Sequence, residues 1–259
     1  MSVVNVGPSP NARQRREVLV TGGGRGIGRA IALRFAESGA RVFLNFFVNR
    51  EAAEKTARDF ELAGGVAYLV QADVKEPAEV RRMFAAIRQA AGRLDVLVNN
   101  AASGVLKDAT ALTAKHWDWV MATNARPVLL CAQEAAKLMA TGGRIIGLSS
   151  LGSQRVIPGY AAVGVSKAAA EAVTRYLAVE LAPRGITVNT VCAGAIETDI
   201  WRAIPDGERL LEAARSRTPS GALVTAEAVA DVVFFLASPA AQSIQGQIIV
   251  ADGGYSLLA

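Results

Sequence analysis

Tyr160 and Lys167 stand seven residues apart in an Ala-rich stretch with helical spacing. Seven residues is close to two full turns, so a helix there sets phenol and ammonium on one face. Reducing a carbonyl or an activated alkene builds negative charge on oxygen, and a site for it needs a donor aimed at that oxygen with a cation beside it. A tyrosine next to a lysine supplies both; the bland alternative is a tyrosine that fills space and a lysine in solvent. Ser150 ends an apolar run upstream, where its hydroxyl reads as a group closing a strand end. His116 is the only histidine, which excludes a histidine triad or a multi-histidine metal site, and with Trp117 and Trp119 it reads as packing of a long helix. No clustered Cys, His or carboxylate spacing suggests a metal.

A second set of residues could hold a phosphate. Thr21, Gly22, Gly23, Gly24, Arg25, Gly26, Ile27 and Gly28 follow an apolar run and open a helical one. Glycines permit a tight turn and let backbone N–H groups approach a pyrophosphate, and the helix start adds unpaired donors and a favourable dipole. Gly22, Arg25, Gly26, Ile27 and Gly28 are therefore expected cofactor contacts. The ribose end is decided near the close of the second strand, where a carboxylate binds a 2′-hydroxyl and repels a 2′-phosphate. The chain has Asn45, Phe46, Phe47, Val48, Asn49 and Arg50 there, with no acid before Glu51. With Arg25 and Arg50 facing a phosphate and Asn45 beside it, the expected cofactor is NADPH rather than NADH.

These groups need a scaffold, and the apolar periodicity supplies one. Short β-branched or apolar runs at 17–21, 41–46, 66–71, 94–99, 144–149, 186–191 and 247–250 predict seven strands. Ala-rich helical stretches at 27–38, 50–62, 77–91, 114–140, 160–181 and 226–237 lie between them. Alternation of this kind predicts an α/β, doubly wound Rossmann fold: a seven-stranded parallel sheet flanked by helices on both faces. Residues 17–259 read as one catalytic domain and 1–16 as a disordered leader, or more weakly a targeting segment. The stretch 194–220 mixes charges with Trp201, Pro205 and Pro219 and reads as a substrate lid, the alternative being a pair of surface helices.

The 259 residues, 51% hydrophobic and 20% charged, are enough for one large core, and no run reaches the length of a membrane span. Two cysteines, Cys131 and Cys192, both lie in apolar runs, which argues against a disulfide framework and for a reducing cytoplasm. The net charge of +5 draws on Arg13, Arg15 and Arg16 in the leader, so the body is only mildly basic and no nucleic-acid partner is expected. A phosphate-bearing ligand or an acidic carrier suits it, as does ordinary solubility.

The spacing T-G-x-x-x-G-x-G, with Asp73 and Val74, Asn99 to Ala102, Asn124 and the final Asp252, Gly253 and Gly254, resembles the short-chain dehydrogenase/reductase family across residues 17–259. The resemblance implies that Asp73 and Val74 hold the adenine and that Asn100, Ala101 and Ala102 line the far side of the cofactor. The Ile196 backbone and the Thr198 hydroxyl should contact the carboxamide and pyrophosphate, Lys167 the nicotinamide ribose, and Asn124 braces a helix and a water path. Cys192 and Ala193 stand where a Pro-Gly lead-in is common. In most of the family the tyrosine falls at the position of Val163, four before the lysine. The Y-x6-K spacing found instead is that of enoyl-acyl carrier protein reductases. NNAASGVL at 99–106, HWDW at 116–119, CAQEAAKLM at 131–139, SSLGS at 149–153 and VGVSKAAAEAVTRYLAVE at 163–180 are similar to the enoyl-acyl carrier protein reductase III branch. What this implies is NADPH-dependent reduction of the C2=C3 bond of trans-2-enoyl thioesters on acyl carrier protein or CoA, in fatty acid or polyketide-type synthesis. Tyr160 and Lys167, with Asn124 and Ser150, are then the catalytic set. A ketoreductase of the same fold and a nucleotide-sensing protein without catalysis are the alternatives. A homotetramer is implied too, through the 168–181 helix and the 248–258 tail.

Overall fold

The seven apolar runs form seven strands of one parallel sheet, ordered β3-β2-β1-β4-β5-β6-β7, in a computed structural model that describes residues 15–140, 142–197 and 207–258. The strands are β1 Glu17–Val20, β2 Arg41–Phe46, β3 Val66–Gln71, β4 Val96–Asn99, β5 Arg144–Ser150, β6 Thr187–Ala193 and β7 Ile248–Ala251. Between them run α1 Gly26–Ala36, α2 Arg50–Leu62, α3 Pro77–Ala91, α4 Ala114–Asn124, α5 Arg126–Leu138, α6 Ala161–Leu181, α7 Gly207–Arg217 and α8 Ala226–Leu236. The chain winds outward from β1 to β3, then returns to lay β4 against β1. That reversal leaves a crevice at the carboxyl ends of β1 and β4, where ligands of such sheets bind.

Both faces of the sheet are covered. Val18, Val20, Val42, Leu44, Val98 and Ile146 pack on α1 and α8 through Ile31, Phe35, Val229 and Val233. The alternate residues Leu19, Phe43, Leu97, Ile145 and Val188 pack on α3, α5 and α6 through Met83, Phe84, Ala132 and Leu177. Burial on both sides is why these strands read as unbroken apolar runs instead of alternating ones. Cys131 and Cys192 are free and buried in this interior. Among the described residues no helix is long and apolar enough to cross a membrane.

Several boundaries depart from the sequence expectation. The single helix expected over 114–140 is two, α4 and α5, meeting at Ala125: Pro127 has no N–H to continue the first and sits in the opening turn of the second. The expected lid contains α7, whose Leu211 and Ala214 turn inward beneath a mostly charged surface. Weak apolar periodicity leaves a helix here as the second reading. Of the expected leader, residues 1–14 lie outside the described residues, as do residues 198–206 of the expected lid.

At the amino end of the sheet Glu17 is buried, with Oε2 lacking a hydrogen bond and Arg41 Nε 3.5 Å away. Burial outweighs the pull of Arg41 and raises the carboxyl pKa to about 7. The folded chain therefore holds this proton more tightly than the unfolded chain does. The resulting stabilisation is complete below the ordinary glutamate range and is lost as pH climbs to about 7. Glu17→Gln should flatten that dependence: from about pH 5 to about pH 8 the variant is expected to lose about 1 kcal/mol less stability than the parent, or about 2–4 °C in Tm. Parallel pH slopes in thermal melts would refute this.

Candidate active site

Two turns at the switch point are tied together before any ligand arrives. Thr21 Oγ1 accepts from the N–H groups of Asn100 and Ala101, each at 3.0 Å, while Asn100 Nδ2 donates to the carbonyls of Thr21 (2.9 Å) and Gly22 (3.1 Å). Gly22 has φ +63°, and a Cβ there would meet Ala101 Cα at 3.0 Å. A Cβ at Gly28 would come within 2.3 Å of the Gly22 carbonyl oxygen. Only glycines let the loop fold this tightly onto the start of α1. That start has Arg25 as an extended N-cap with no side-chain cap and no acid in its first turn. The leading N–H groups are thus left to a ligand, and the loop fits a dinucleotide pyrophosphate.

Asn45 has a different task from the one expected of it. Its buried amide accepts from Gly22 N–H (3.3 Å) and donates to the carbonyls of Val70 (3.2 Å) and Ala72 (3.0 Å). With donors and acceptor engaged, it braces the loop against β3. Arg50 lies over the Phe46 ring at 5.2 Å and donates to Gln71 Oε1 at 3.2 Å, while Arg25 is exposed and makes no side-chain contact among the described residues. The Asp73 carboxylate accepts from Lys75 N–H (2.9 Å) and pairs with Lys75 Nζ (3.2 Å). The Val74 side chain is buried in the core, so its backbone is what remains for an adenine. The Ile196 side chain is buried in the opposite cluster, and Thr198 lies outside the described residues.

Asn99, which the sequence analysis did not single out from its string, is buried at the end of β4 with both Oδ1 and Nδ2 unpartnered. A buried amide with no partner is costly, and this one stands at the crevice where ligands of such sheets bind. The doubled asparagine after an apolar run was the only signal for it.

The reacting end is built on β5 and α6. Tyr160 is not inside the helix, as the periodicity predicted, but is its N-cap, with φ −105° and ψ 9°. Gly159 at φ +71° turns the chain just before it, and Lys107 N–H donates to the Gly159 carbonyl at 2.8 Å, so the residue is held from both sides. The ring swings back across the 3-10 turn Leu151–Ser153, where a Cβ on Gly152 would strike Tyr160 Cδ1 at 2.6 Å. Its hydroxyl consequently lies 3.4 Å from Ser150 Oγ. The tyrosine has moved along the sequence, yet the serine still meets it. Val163 is buried with Val120 and Ala162, and a Cβ on Gly104 would lie 2.3 Å from its Cγ2.

Lys167 is 8% exposed and donates from Nζ to the Leu148 carbonyl at 2.9 Å. Burial lowers its pKa to about 8. Burial raises the Tyr160 phenol, with the Ser150 hydrogen bond opposing. Asn124 ends α4 and links the 103 loop to α6: Oδ1 accepts from Ser103 N–H (2.9 Å), and Nδ2 donates to Ser103 O (2.8 Å) and Ser166 Oγ (2.9 Å). It braces the residue next to Lys167. His116, expected to pack a helix, instead caps one: its N–H donates to Thr113 Oγ1 (3.2 Å) and its Nδ1 accepts from Thr113 N–H (3.3 Å). Among the described residues no group of His, Cys, Asp and Glu could hold a metal ion.

Comparison with known proteins finds relatives along nearly the whole chain. A family model described as enoyl-(acyl carrier protein) reductase matches residues 22–256. A 1-cyclohexenylcarbonyl-CoA reductase of Streptomyces collinus is 43% identical, over 97% of this chain and 92% of its own length. A short-chain dehydrogenase of Burkholderia cenocepacia, solved with NADP, superposes with a TM-score of 0.88 at 37% identity, covering 95% of this chain and 100% of that one. An angucycline C-6 ketoreductase solved with NADP gives 0.87 at 34%, covering 94% and 96%.

The seat of the tyrosine can be tested through Gly152. A methyl group there overlaps the ring, so Gly152→Ala should displace the hydroxyl from Ser150 and lower turnover about ten-fold or more, equivalent to about 1.4 kcal/mol in the barrier. Nucleotide affinity should hold, since the glycine loop is elsewhere. Turnover equal to that of the parent would show that the ring does not depend on this contact.

Proposed function

The chain belongs to the short-chain dehydrogenase/reductase family of oxidoreductases, and from that premise we propose that it reduces the C2=C3 double bond of enoyl thioesters with NADPH. The observation that carries the reading is the tyrosine itself: it stands outside the helix, seven residues before Lys167, while Val163 fills the helical position four before the lysine. When bound, the nicotinamide supplies the hydride that the β-carbon accepts. Tyr160 donates a hydrogen bond to the thioester oxygen as negative charge gathers there, and Ser150 Oγ is near enough to share that oxygen. The buried ammonium of Lys167 adds a positive field in a dry site, where each such contact is strong. Protonation at the α-carbon then completes a saturated thioester.

Arg25, Arg50 and the lack of an acid after β2 support NADPH, as do the NADP-bound structures similar to this chain. The name of the Streptomyces collinus relative supports a CoA thioester whose double bond is conjugated with the carbonyl. Acyl carrier protein is the other carrier that fits, in a cytoplasmic pathway of fatty acid or polyketide type. Exposed Tyr176 and Val179 on α6 and Val250, Leu257 and Leu258 at the chain end support a homotetramer.

A second reading has one observation behind it. Ser150 and Tyr160 present two adjacent hydroxyls, an arrangement equally suited to the alkoxide of a reduced ketone, and a ketoreductase is among the similar structures. Matched enoyl and β-ketoacyl thioesters, each followed by NADPH loss, separate the readings. The enoyl thioester should react faster, and a faster ketone rejects the first reading. Tyr160→Phe should lower turnover by about 10² while leaving NADPH affinity unchanged.

A further inference from the structure

Three consecutive residues at the carboxyl end of β5 each hold a different side chain. The Leu148 carbonyl accepts from Lys167 Nζ at 2.9 Å, Ser149 Oγ donates to Glu171 Oε1 at 2.5 Å, and Ser150 Oγ lies 3.4 Å from the Tyr160 hydroxyl. The first and third belong to the reaction already described. The middle one ends on a carboxylate that is 4% exposed and forms no ion pair among the described residues.

Glu171 is tightly held. Ser153 Oγ lies 2.6 Å from the same Oε1 and 2.9 Å from the Ser150 carbonyl, so its one hydrogen sits between the carboxylate and the backbone of the turn. An anion buried in this way is costly unless a cation offsets it. Lys167 lies four residues earlier on the same helix, one turn away and on the same face, equally buried and equally without an ion pair. The other groups around that lysine offer little charge. Cys192 on β6 stays a thiol, its pKa pushed up to about 12 by burial, and Asp252 beyond β7 is occupied by the N–H groups of Gly254 (2.9 Å) and Ser256 (2.8 Å).

We infer that Glu171 is a positioning residue for the reaction: gripped by Ser149 and Ser153, it fixes the turn that seats Ser150 and Tyr160, and its negative charge steadies the ammonium of Lys167. The inference rests on the reading of Lys167 as the working cation, and not on the choice between alkene and ketone. Glu171→Gln keeps the shape and removes the charge, so Lys167 should lose its proton more readily. In the parent, kcat is expected to fall above about pH 8, where the lysine deprotonates. In Glu171→Gln that alkaline limb should move about one unit lower, leaving kcat about five-fold below the parent's at the parent's midpoint.

The test pairs this profile, measured with whichever thioester is turned over, with an NMR titration of 13C-lysine-labelled protein in which the Lys167 signal is identified by its loss in Lys167→Ala. A lower Lys167 midpoint in Glu171→Gln supports the inference, even if neither thioester is reduced and the functional reading fails. An unmoved midpoint overturns it, including the case where kcat drops equally at every pH, as a merely structural role predicts. Ser153→Ala guards against a variant that does not fold, since it keeps the carboxylate and the Ser149 bond. It should lower kcat at least three-fold with the alkaline limb and nucleotide KM unmoved, and an unchanged kcat overturns the inference.

Discussion

An ammonium group shut away from water, held by a single backbone carbonyl, is the constraint around which this molecule is arranged. Lys167 reaches Leu148 because β5 runs through the sheet between β4 and β6 and because α6 packs directly upon it. Burial makes the charge expensive, and it also makes the charge effective, since a field weakens far less across protein than across water. The same contact fixes the height of α6 along β5. That height determines where a side chain at the helix cap can reach.

From there the site follows as geometry. The β5 end delivers a carbonyl and two hydroxyls in successive residues, and the 3-10 turn after it carries the glycine against which Tyr160 lies. The phosphate loop is held independently, by Thr21, Asn100 and Asn45, at the ends of β1, β4 and β2. Cofactor binding and oxygen recognition are thus assigned to different strands of one rigid sheet. Substrate chemistry can change at β5 and α6 without disturbing the nucleotide.

How much of this could be read beforehand depended on whether each feature was local. The glycine loop was legible because its conformation is dictated residue by residue, and the strands because burial on both faces leaves few polar positions to blur them. Tyr160 was harder to place. Its helical spacing from Lys167 was real, but Gly159 and the pairing with Lys107 end the helix one residue short, and that allows the phenol to reach Ser150. Asn45 was assigned to the cofactor by its place near the end of β2, whereas a polar side chain on an inner strand must first satisfy its own neighbours. Glu171 gave no signal at all within an Ala-rich helix, because its partners Ser149 and Ser153 belong to another segment. The division of α4 from α5 was visible in Pro127 and was outweighed by the apolar periodicity around it.

The contact between Gly104 and Val163 limits which side chains the first turn of α6 can carry. The valine methyl already fills the space a side chain at position 104 would need, and the neighbouring Ser103 is pinned at both its N–H and its carbonyl by Asn124. Placing an aromatic ring at position 163 thus demands that a clamped segment give way at the same moment. A lone exchange at position 163 therefore crowds the 103 loop, so the seat of the phenol at position 160 is kept by the packing around Val163 as much as by its chemistry.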